Sequence, residues 1–188
     1  MSVDSKAALF VMLGQAASKV IGRLDEVVPS DSLYLSASYD LASLVPNTVR
    51  ESTKAAEAYR LFFVFENYLR ELIVDVLSAG SEGSWWDCVP SDVQVEVLKL
   101  EEMEQIKGWM ALGSRDKSAL LTLPQLLKVI DTNWKGMFDD VVRDKGLIQE
   151  ARLIVHLRNT ICHMTAISDE ELSRVRQTMR DWFRVVAP

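Results

Sequence analysis

The 188-residue sequence lacks the features of secreted, membrane-embedded and metal-clustering proteins. Its only two cysteines, Cys88 and Cys162, form neither a disulfide framework nor a paired metal motif. No apolar run is long enough to span a bilayer, and no basic segment followed by an apolar stretch opens the chain. These absences predict a cytoplasmic protein that neither crosses nor enters a membrane.

The sequence also lacks glycine-rich phosphate loops, internal repeats and alternating strand patterns. Its composition is that of a globular domain, with 48% hydrophobic and 26% charged residues. Apolar residues recur every three or four positions, which is typical of helices packed on one side. We therefore predict a single all-α domain over residues 1–188, a bundle of about five to seven helices.

Start and stop signals divide the predicted bundle into helices. A helix over 6–28 ends at Pro29, and a polar connection with at most one helical turn near 39–44 follows. Capping boxes, in which a hydroxyl residue precedes a carboxylate or amide residue by three positions, predict four helix starts. These starts are Thr48, Ser91, Thr122 and Ser168, with helices to about 78, 112 and 138 for the first three. A further helix is predicted over about 147–164.

The net charge of −6 argues against a protein that coats nucleic acid nonspecifically. Residues 151–188 nevertheless hold six arginines and four acids, a net of +2 that leaves −8 on the rest. An anionic ligand should therefore meet the C-terminal part of the chain. Arginines on solvated helix surfaces would give the same composition, and charge alone leaves both interpretations open.

Both histidines of the chain, His156 and His163, lie in the predicted helix over 147–164. At about 100° per residue they share a polar stripe with Arg152 and Asn159, and the stripe contains no acid. The apolar stripe that should seat the helix comprises Ile154, Leu157, Ile161 and Met164. A stripe of this kind is suited to meet an anion, and a helix surface that is basic by chance is the alternative.

Arg158 lies off the polar stripe, because five residues and about 140° of rotation separate it from His163. Within one ideal helix these two side chains diverge. They can reach one ligand through a local distortion of the helix, or across a two-fold axis between two copies of the chain.

The segment from Arg158 to His163, with Asn159 after the arginine, resembles the Arg-x4-His signature of the HEPN superfamily. These proteins are small helical bundles that include many metal-independent endoribonucleases. The likeness spans about residues 55–186, whereas residues 1–50, a predicted helix and connection, match no family. It is similar to the subgroup that accompanies PIN nuclease domains, and three further segments carry this: Glu66-x-x-Leu69-Arg70, Trp85-Trp86 before Val89-Pro90, and Leu126 to Phe138 with Trp134.

The resemblance implies a two-fold homodimer that brings the Arg and His residues of two copies together. It implies catalytic roles for Arg158, Asn159 and His163 in a toxin or antiviral-defence effector that needs no metal or other cofactor. The expected partners are RNA, a second copy, and an antitoxin or an additional domain of a longer protein. The alternatives are an inactive HEPN domain that binds RNA or protein and dimerises, and a purely structural helical adaptor.

The residue types themselves suit RNA cleavage by the substrate's own 2′-hydroxyl, which leaves 2′,3′-cyclic phosphate ends and requires no metal. His163 can move protons near neutral pH, and the Arg158 guanidinium can stabilise the charge that develops on phosphorus. Asn159 would hold a phosphate oxygen or fix the imidazole tautomer. Two histidines seven residues apart without nearby carboxylates are a poor metal site.

Glu66 lies among apolar residues of the second predicted helix, so its carboxylate needs a partner. Arg70, four residues on, is placed to form an ion pair that orients the bundle. The alternative is that Glu66 and Arg70 hold the catalytic residues in place. His156 and Arg152 are likewise predicted to bind the substrate or to hold the catalytic residues.

Two further sites have competing interpretations. Cys162 points about 100° away from its neighbour His163 in a helix, which favours a small core residue over a nucleophile. Trp85 and Trp86 are expected to anchor a loop in the core, with stacking on nucleic-acid bases as the alternative.

Overall fold

The computed structural model describes residues 6, 10–17, 32–106 and 116–186 of the chain. The chain falls into two compact units, residues 1–53 and 54–188. Of the helix predicted over 6–28, residues 10–17 are helical and most of the rest lies outside the described residues. The predicted end of the third helix, beyond residue 106, also lies outside them.

The described part of the first unit contains a small antiparallel hairpin that the sequence did not predict. Strand β1 (Tyr34–Ser36) pairs with strand β2 (Tyr39–Asp40). Helix α1 (Leu41–Leu44) follows at once, and the Asp40 carboxylate caps it by accepting a 2.9 Å bond from the Ala42 backbone. Strands of three and two residues are too short to produce an alternating pattern in the sequence.

Helix α2 (Pro46–Gly80) begins two residues before the capping box predicted at Thr48. Proline is well suited to the first helical position, because its missing N–H would be unpaired there in any case. At the other end, a Cβ on Gly80 would lie 2.5 Å from the Met137 sulfur, so glycine permits a close approach. The predicted start was therefore wrong by two residues and the predicted end, Ser78, short by two.

The second unit is an all-α helical bundle, as predicted. After α2 its elements run in the following order: a 3-10 turn (Trp85–Cys88), α3 (Ser91–Ile106), a 3-10 turn (Lys117–Leu120), α4 (Leu123–Thr132), a kinked turn (Trp134–Phe138), α5 (Asp139–Val142), α6 (Gly146–Leu153), α7 (Val155–Cys162) and α8 (Asp169–Val186). No helix in the described part of the chain combines the length and the apolarity that a bilayer span requires.

One apolar core holds this bundle together. The buried side of α2 supplies residues spaced three or four apart: Ala58, Phe62, Phe65, Leu69, Ile73 and Leu77. Trp182 of α8 is fully buried and meets Phe65 edge to face, with ring centroids 5.4 Å apart. Trp85 and Trp86 pack against the same core, which confirms their predicted anchoring role.

Two of the predicted capping boxes are present in the second unit. At α4, Gln125 Oε1 accepts a 2.8 Å bond from the Thr122 backbone N–H. At α8, Glu171 Oε2 accepts a 2.7 Å bond from the Ser168 backbone N–H, and Ser168 Oγ accepts one from Glu171. Their sequence pattern therefore located the starts of α4 and α8 correctly.

The capping box predicted at Ser91 is wrong. Ser91 is the first residue of α3, and Gln94 does not bond back to it. The Gln94 amide instead donates to the carbonyl oxygens of Trp86 and Val89, at 2.8 and 3.0 Å. The side chain therefore bonds to the preceding loop and does not cap the helix.

The helix predicted over 147–164 is two helices. α6 ends at Leu153 and α7 begins at Val155, and the Ile154 N–H bonds to the Ala151 carbonyl, three residues back, at 3.3 Å. At Ile154 the backbone has φ −90° and ψ −3°, and this tighter turn separates the two helices. The predicted polar stripe is therefore interrupted between Arg152 and the residues of α7.

The helix predicted to run from Thr122 to Phe138 also ends early, at Thr132. Gly136 has φ +81°, a conformation that other residues adopt only with strain, and Lys135 is extended. A continuous helix cannot pass through these two residues, and α5 starts only at Asp139.

Candidate functional site

α7 carries the Arg-Asn-x-x-x-His segment and is seated by two buried residues, Leu157 and Ile161. Arg158 projects from the side of α7 that meets α2. Its Nε donates a 2.8 Å hydrogen bond to Oε1 of Glu66, a residue 92 positions earlier in the chain. The long-range ion pair thus ties the start of the segment to the longest helix of the bundle.

Glu66 is buried and lies between two arginines. Its second oxygen, Oε2, accepts a 2.9 Å bond from Nη2 of Arg70, the pair predicted from their spacing. Both interpretations of Glu66 from the sequence are therefore present in the geometry, since the carboxylate pairs with Arg70 and also holds Arg158. Two guanidinium groups against one carboxylate leave this buried cluster with a net charge of +1.

Arg70 is committed to holding the structure. Besides Glu66, its guanidinium donates to the carbonyl oxygens of Ser118 and Leu121, at 3.1 and 3.0 Å, and to Oδ1 of Asn67 at 3.2 Å. Each of its three nitrogens therefore has a protein acceptor. Arg70 fastens the segment before α4 onto α2, and four of its five N–H groups are engaged by the protein.

Arg158 differs, because Glu66 engages only its Nε. Within the described part of the chain, its two terminal nitrogens have no hydrogen-bond acceptor, although the side chain is only 27% exposed. The bond from Glu66 raises the pKa of the Arg158 guanidinium above its usual value. The result is a fixed, permanently charged fork of the kind that binds a phosphate or carboxylate through two bonds.

A pocket of about 300 Å³ opens beside Arg158. Its lining combines aromatic, polar and cationic side chains from α2, α7 and the second 3-10 turn: Tyr59, Phe62, Phe63, Glu66, Asn67, Arg70, Ala119, Arg158, Ile161 and Cys162. The sequence predicted Glu66, Arg70 and Arg158 as site residues, and the structure brings these three together. The sequence did not identify Tyr59, Phe63 and Asn67 as site residues. They are spaced one helical turn apart before Arg70 and therefore lie on the same side of α2.

His163 and Asn159 are exposed and do not line this pocket. His163 is the residue at which α7 ends, and its backbone N–H bonds to the Asn159 carbonyl at 3.0 Å. The Thr165 N–H bonds to the Thr160 carbonyl and the Met164 N–H to the Ile161 carbonyl, which closes the helix in a Schellman motif. His163 is thereby presented at the helix terminus, on a different side from Arg158.

Met164 does not belong to the apolar stripe that seats α7, contrary to the prediction. It is 91% exposed and has φ +58°, the left-handed conformation that this helix ending requires. Because the helix has already ended at Cys162, the helical arithmetic no longer applies to Met164.

Cys162 is exposed, so its prediction as a core residue was also wrong. It stands one turn after Arg158 and lines the same pocket. Leu157 and Ile161 already occupy the core side of α7, which leaves position 162 facing outward.

Arg152 and His156 are not part of the pocket. Arg152 on α6 donates a 2.7 Å bond to Asp131 on α4, which also pairs with Lys145 at 2.7 Å. His156 is exposed and does not line the pocket. These two residues, predicted to bind the substrate, therefore do not share a pocket with Arg158.

In the described part of the chain, no group of three His, Cys, Asp or Glu side chains lies together in a way that could hold a metal ion. The polar groups that converge on the pocket are guanidinium, carboxylate and amide groups, and this combination is suited to an organic anion.

The fold and the Arg-to-His segment define a helical domain of the HEPN class. The Swt1-like HEPN family matches residues 60–187, which include α7 and nearly all of the second unit, and the chain belongs to this family. Comparisons with curated proteins and with solved structures give no match.

Proposed function

We propose that this protein is a metal-independent endoribonuclease of the HEPN type. The observation that carries the proposal is the state of Arg158, whose Nε is fixed by buried Glu66 while its two terminal nitrogens have no acceptor among the described residues. Membership of the HEPN superfamily, which includes many such enzymes, supports it.

Arg158 would bind the scissile phosphate through its free fork. A guanidinium held by a buried carboxylate needs no rearrangement when negative charge develops on the phosphorane, and this preorganisation is a main source of rate enhancement. The net charge of +1 of the Glu66–Arg70–Arg158 cluster attracts the phosphate. Glu66 acts here as a positioning residue, since it touches Arg158 and not the substrate.

His163 would move the protons. Its imidazole removes the proton of the 2′-hydroxyl as that oxygen bonds to phosphorus, and the imidazolium so formed gives the proton to the 5′-oxygen as its bond to phosphorus breaks. The products are a 2′,3′-cyclic phosphate and a 5′-hydroxyl end. Asn159, exposed beside Arg158 in sequence, would hold a phosphate oxygen or fix the imidazole tautomer.

A two-fold homodimer would complete the site. In one copy, Arg158 faces the pocket with α2, whereas His163 stands exposed at the end of α7. Two copies related by a two-fold axis near α7 would place the His163 of each beside the Arg158 of the other. RNA and a second copy are therefore the partners that the proposal requires.

The biological setting is proposed from the family alone. A cytoplasmic toxin or antiviral-defence effector, controlled by an antitoxin or by an additional domain of a longer protein, accords with the resemblance. We also propose that the protein is related to the HEPN subgroup that accompanies PIN nuclease domains.

An inactive HEPN domain that binds RNA or protein and dimerises is the second candidate. The observation in its favour is that Arg158 and His163 do not share a pocket within one chain. An arginine fork without a proton-transfer group would bind an anion and leave it intact.

Incubation of structured and single-stranded RNA with the protein in excess EDTA, with mapping of the product ends, separates these candidates. We expect cleavage to 2′,3′-cyclic phosphate ends, reduced on the order of 100-fold or more in Arg158→Ala and His163→Ala. His156→Ala is the matched control, because His156 is the other histidine of α7. This variant should cleave RNA nearly as fast as the parent. RNA binding without cleavage would identify the inactive domain, and cleavage lost on adding EDTA would identify a metal nuclease.

A further inference from the structure

Two aromatic side chains at the edge of the pocket are left open to solvent. Tyr59 and Phe63, one turn apart on α2, are 55% and 58% exposed. Their ring centroids lie 6.2 Å apart, and both rings line the pocket that contains Arg158. The neighbouring core aromatics Phe62 and Phe65 are buried, so the open pair contributes little to the stability of the bundle.

The pair lies on the same side of α2 as Glu66, the residue that fixes Arg158. Seven residues separate Tyr59 from Glu66, a rise of about 10 Å along the helix. Tyr59, Phe63 and Arg158 all line the same pocket. An aromatic surface and an open guanidinium fork therefore stand side by side.

This combination matches the chemistry of a nucleotide, with its flat base and its anionic phosphate. The pocket of about 300 Å³ is at the small end of ligand sites and accommodates one nucleotide but no duplex. A base must also be unpaired to stack on a protein ring, because in a duplex its faces are covered by neighbouring bases.

We propose that Tyr59 and Phe63 form a platform on which one base of single-stranded RNA stacks, beside the phosphate bound by Arg158. The inference rests on the proposed function, since it names the substrate class of the same site. One RNA base would thus cover the exposed aromatic surface, and the net positive Glu66–Arg70–Arg158 cluster next to it would complement the negative charge of the phosphate.

The two rings would contact the flat face of the base and make few hydrogen bonds to its edge. The amide of Asn67, which also lines the pocket, is already engaged, with Nδ2 donating to the Phe63 carbonyl at 2.7 Å and Oδ1 accepting from Arg70. Every base has a π-face, so stacking alone tolerates any sequence. Cleavage should therefore require an unpaired nucleotide and show weak preference for its identity.

The test measures RNA binding apart from cleavage. In a His163→Ala background, which leaves RNA intact, a labelled single-stranded RNA of mixed sequence is titrated with protein carrying Tyr59→Leu, Phe63→Leu or both. We expect each leucine to weaken binding roughly 5- to 150-fold, the range of one lost stacking contact. Tyr59→Phe and Phe63→Tyr keep the ring and should bind as the parent does.

Val64→Ala is the matched control, because Val64 is 58% exposed like Phe63 but points about 100° away on α2. It should not change binding, and the same RNA annealed into a duplex should bind the parent more weakly than the single strand. Equal binding of single-stranded RNA by parent and folded double-leucine protein would overturn the inference. So would weakened binding accompanied by a change of mass in light scattering, which would assign the pair to an interface between copies.

Failure of this inference and failure of the proposed function are distinguishable. If the parent cleaves RNA and the leucine variants bind it normally, the nuclease stands and the platform is wrong. If the leucine variants lose binding but the parent cleaves no RNA in any buffer, the platform stands and the nuclease is wrong.

Discussion

Arg70 and Arg158 meet the same carboxylate and yet have different duties. Every nitrogen of Arg70 bonds to a protein acceptor, two of them backbone carbonyls, whereas Arg158 gives only Nε to Glu66. The difference arises from their surroundings: both line the pocket, but Arg70 also lies against the chain before α4 and bonds to the carbonyls of that segment. One cation therefore serves stability and the other is free for a ligand.

Removal of each arginine should show this division in the free energy of unfolding. Arg70→Ala leaves the carbonyls of Ser118 and Leu121 and part of the Glu66 charge uncompensated, and should cost roughly 3–5 kcal/mol. Arg158→Ala leaves Glu66 paired with Arg70 and should cost less, about 1–2 kcal/mol. Urea denaturation of both variants checks the order, and a larger cost for Arg158→Ala would contradict the assignment.

Met164 stores strain at the helix end that presents His163. A non-glycine residue in the left-handed region costs roughly 1–2 kcal/mol, only partly offset by its smaller entropy in the unfolded chain. Met164→Gly should therefore raise the free energy of unfolding by about 0.5–1 kcal/mol, since the exposed methionine side chain loses little packing. Thermal melts of the two proteins test this. A destabilised variant would show that contacts of the Met164 side chain stabilise the fold by more than its backbone strain costs.

At the scale of elements, the sequence located helices well where a cap marks their start. The capping boxes at Thr122 and Ser168 identified α4 and α8, and the three- to four-residue spacing identified the buried side of α2. The break at Ile154 could not be predicted, because no glycine or proline marks it and the apolar spacing continues through it. The short hairpin likewise depends on a local pairing that leaves no periodic pattern.

The ion pairs of Asp131 join α4 to α6 and to the residue before it. Hydrogen bonds from Lys145, the larger effect, and from Arg152 lower the pKa of the Asp131 carboxyl below its usual value. Because the folded pKa is depressed, the stabilisation is present above the unfolded pKa of about 3.9 and is lost as pH falls through the folded pKa.

Asp131→Asn should accordingly destabilise the protein by about 1 kcal/mol at neutral pH, the upper value for a partly exposed pair. The difference between parent and variant in the free energy of unfolding should stay constant from neutral pH to about 5 and shrink below about 4. Urea titrations at several pH values measure it. A difference that grows as pH falls would contradict the sign of this linkage.

At the scale of the whole molecule, the candidate site was predictable in part. Its charged residues, Glu66, Arg70 and Arg158, could be found from spacing and from resemblance to a family. That Glu66 bonds Arg158 across 92 residues could not, because helix periodicity fixes the side a residue faces but not its long-range partner. The ends of α7 also decided the positions of Cys162, His163 and Met164, and helix ends are the least predictable boundaries.

The separation of Arg158 from His163 within one chain is the central feature of the account. In a two-fold dimer each site would take Arg158 from one copy and His163 from the other. A mixed dimer of Arg158→Ala and His163→Ala chains would then lose both groups from one site and keep both in the other.

Subunit mixing in excess EDTA therefore tests the account most directly. Each variant alone should be inactive on single-stranded RNA, whereas equal amounts mixed and allowed to exchange should recover about a quarter of the parental rate, since half of the dimers are mixed and each has one intact site. A mixture of Arg158→Ala with the double variant Arg158→Ala/His163→Ala is the control and should stay inactive. A mixture of the two single variants that forms dimers but cleaves no more than either variant alone would contradict the account.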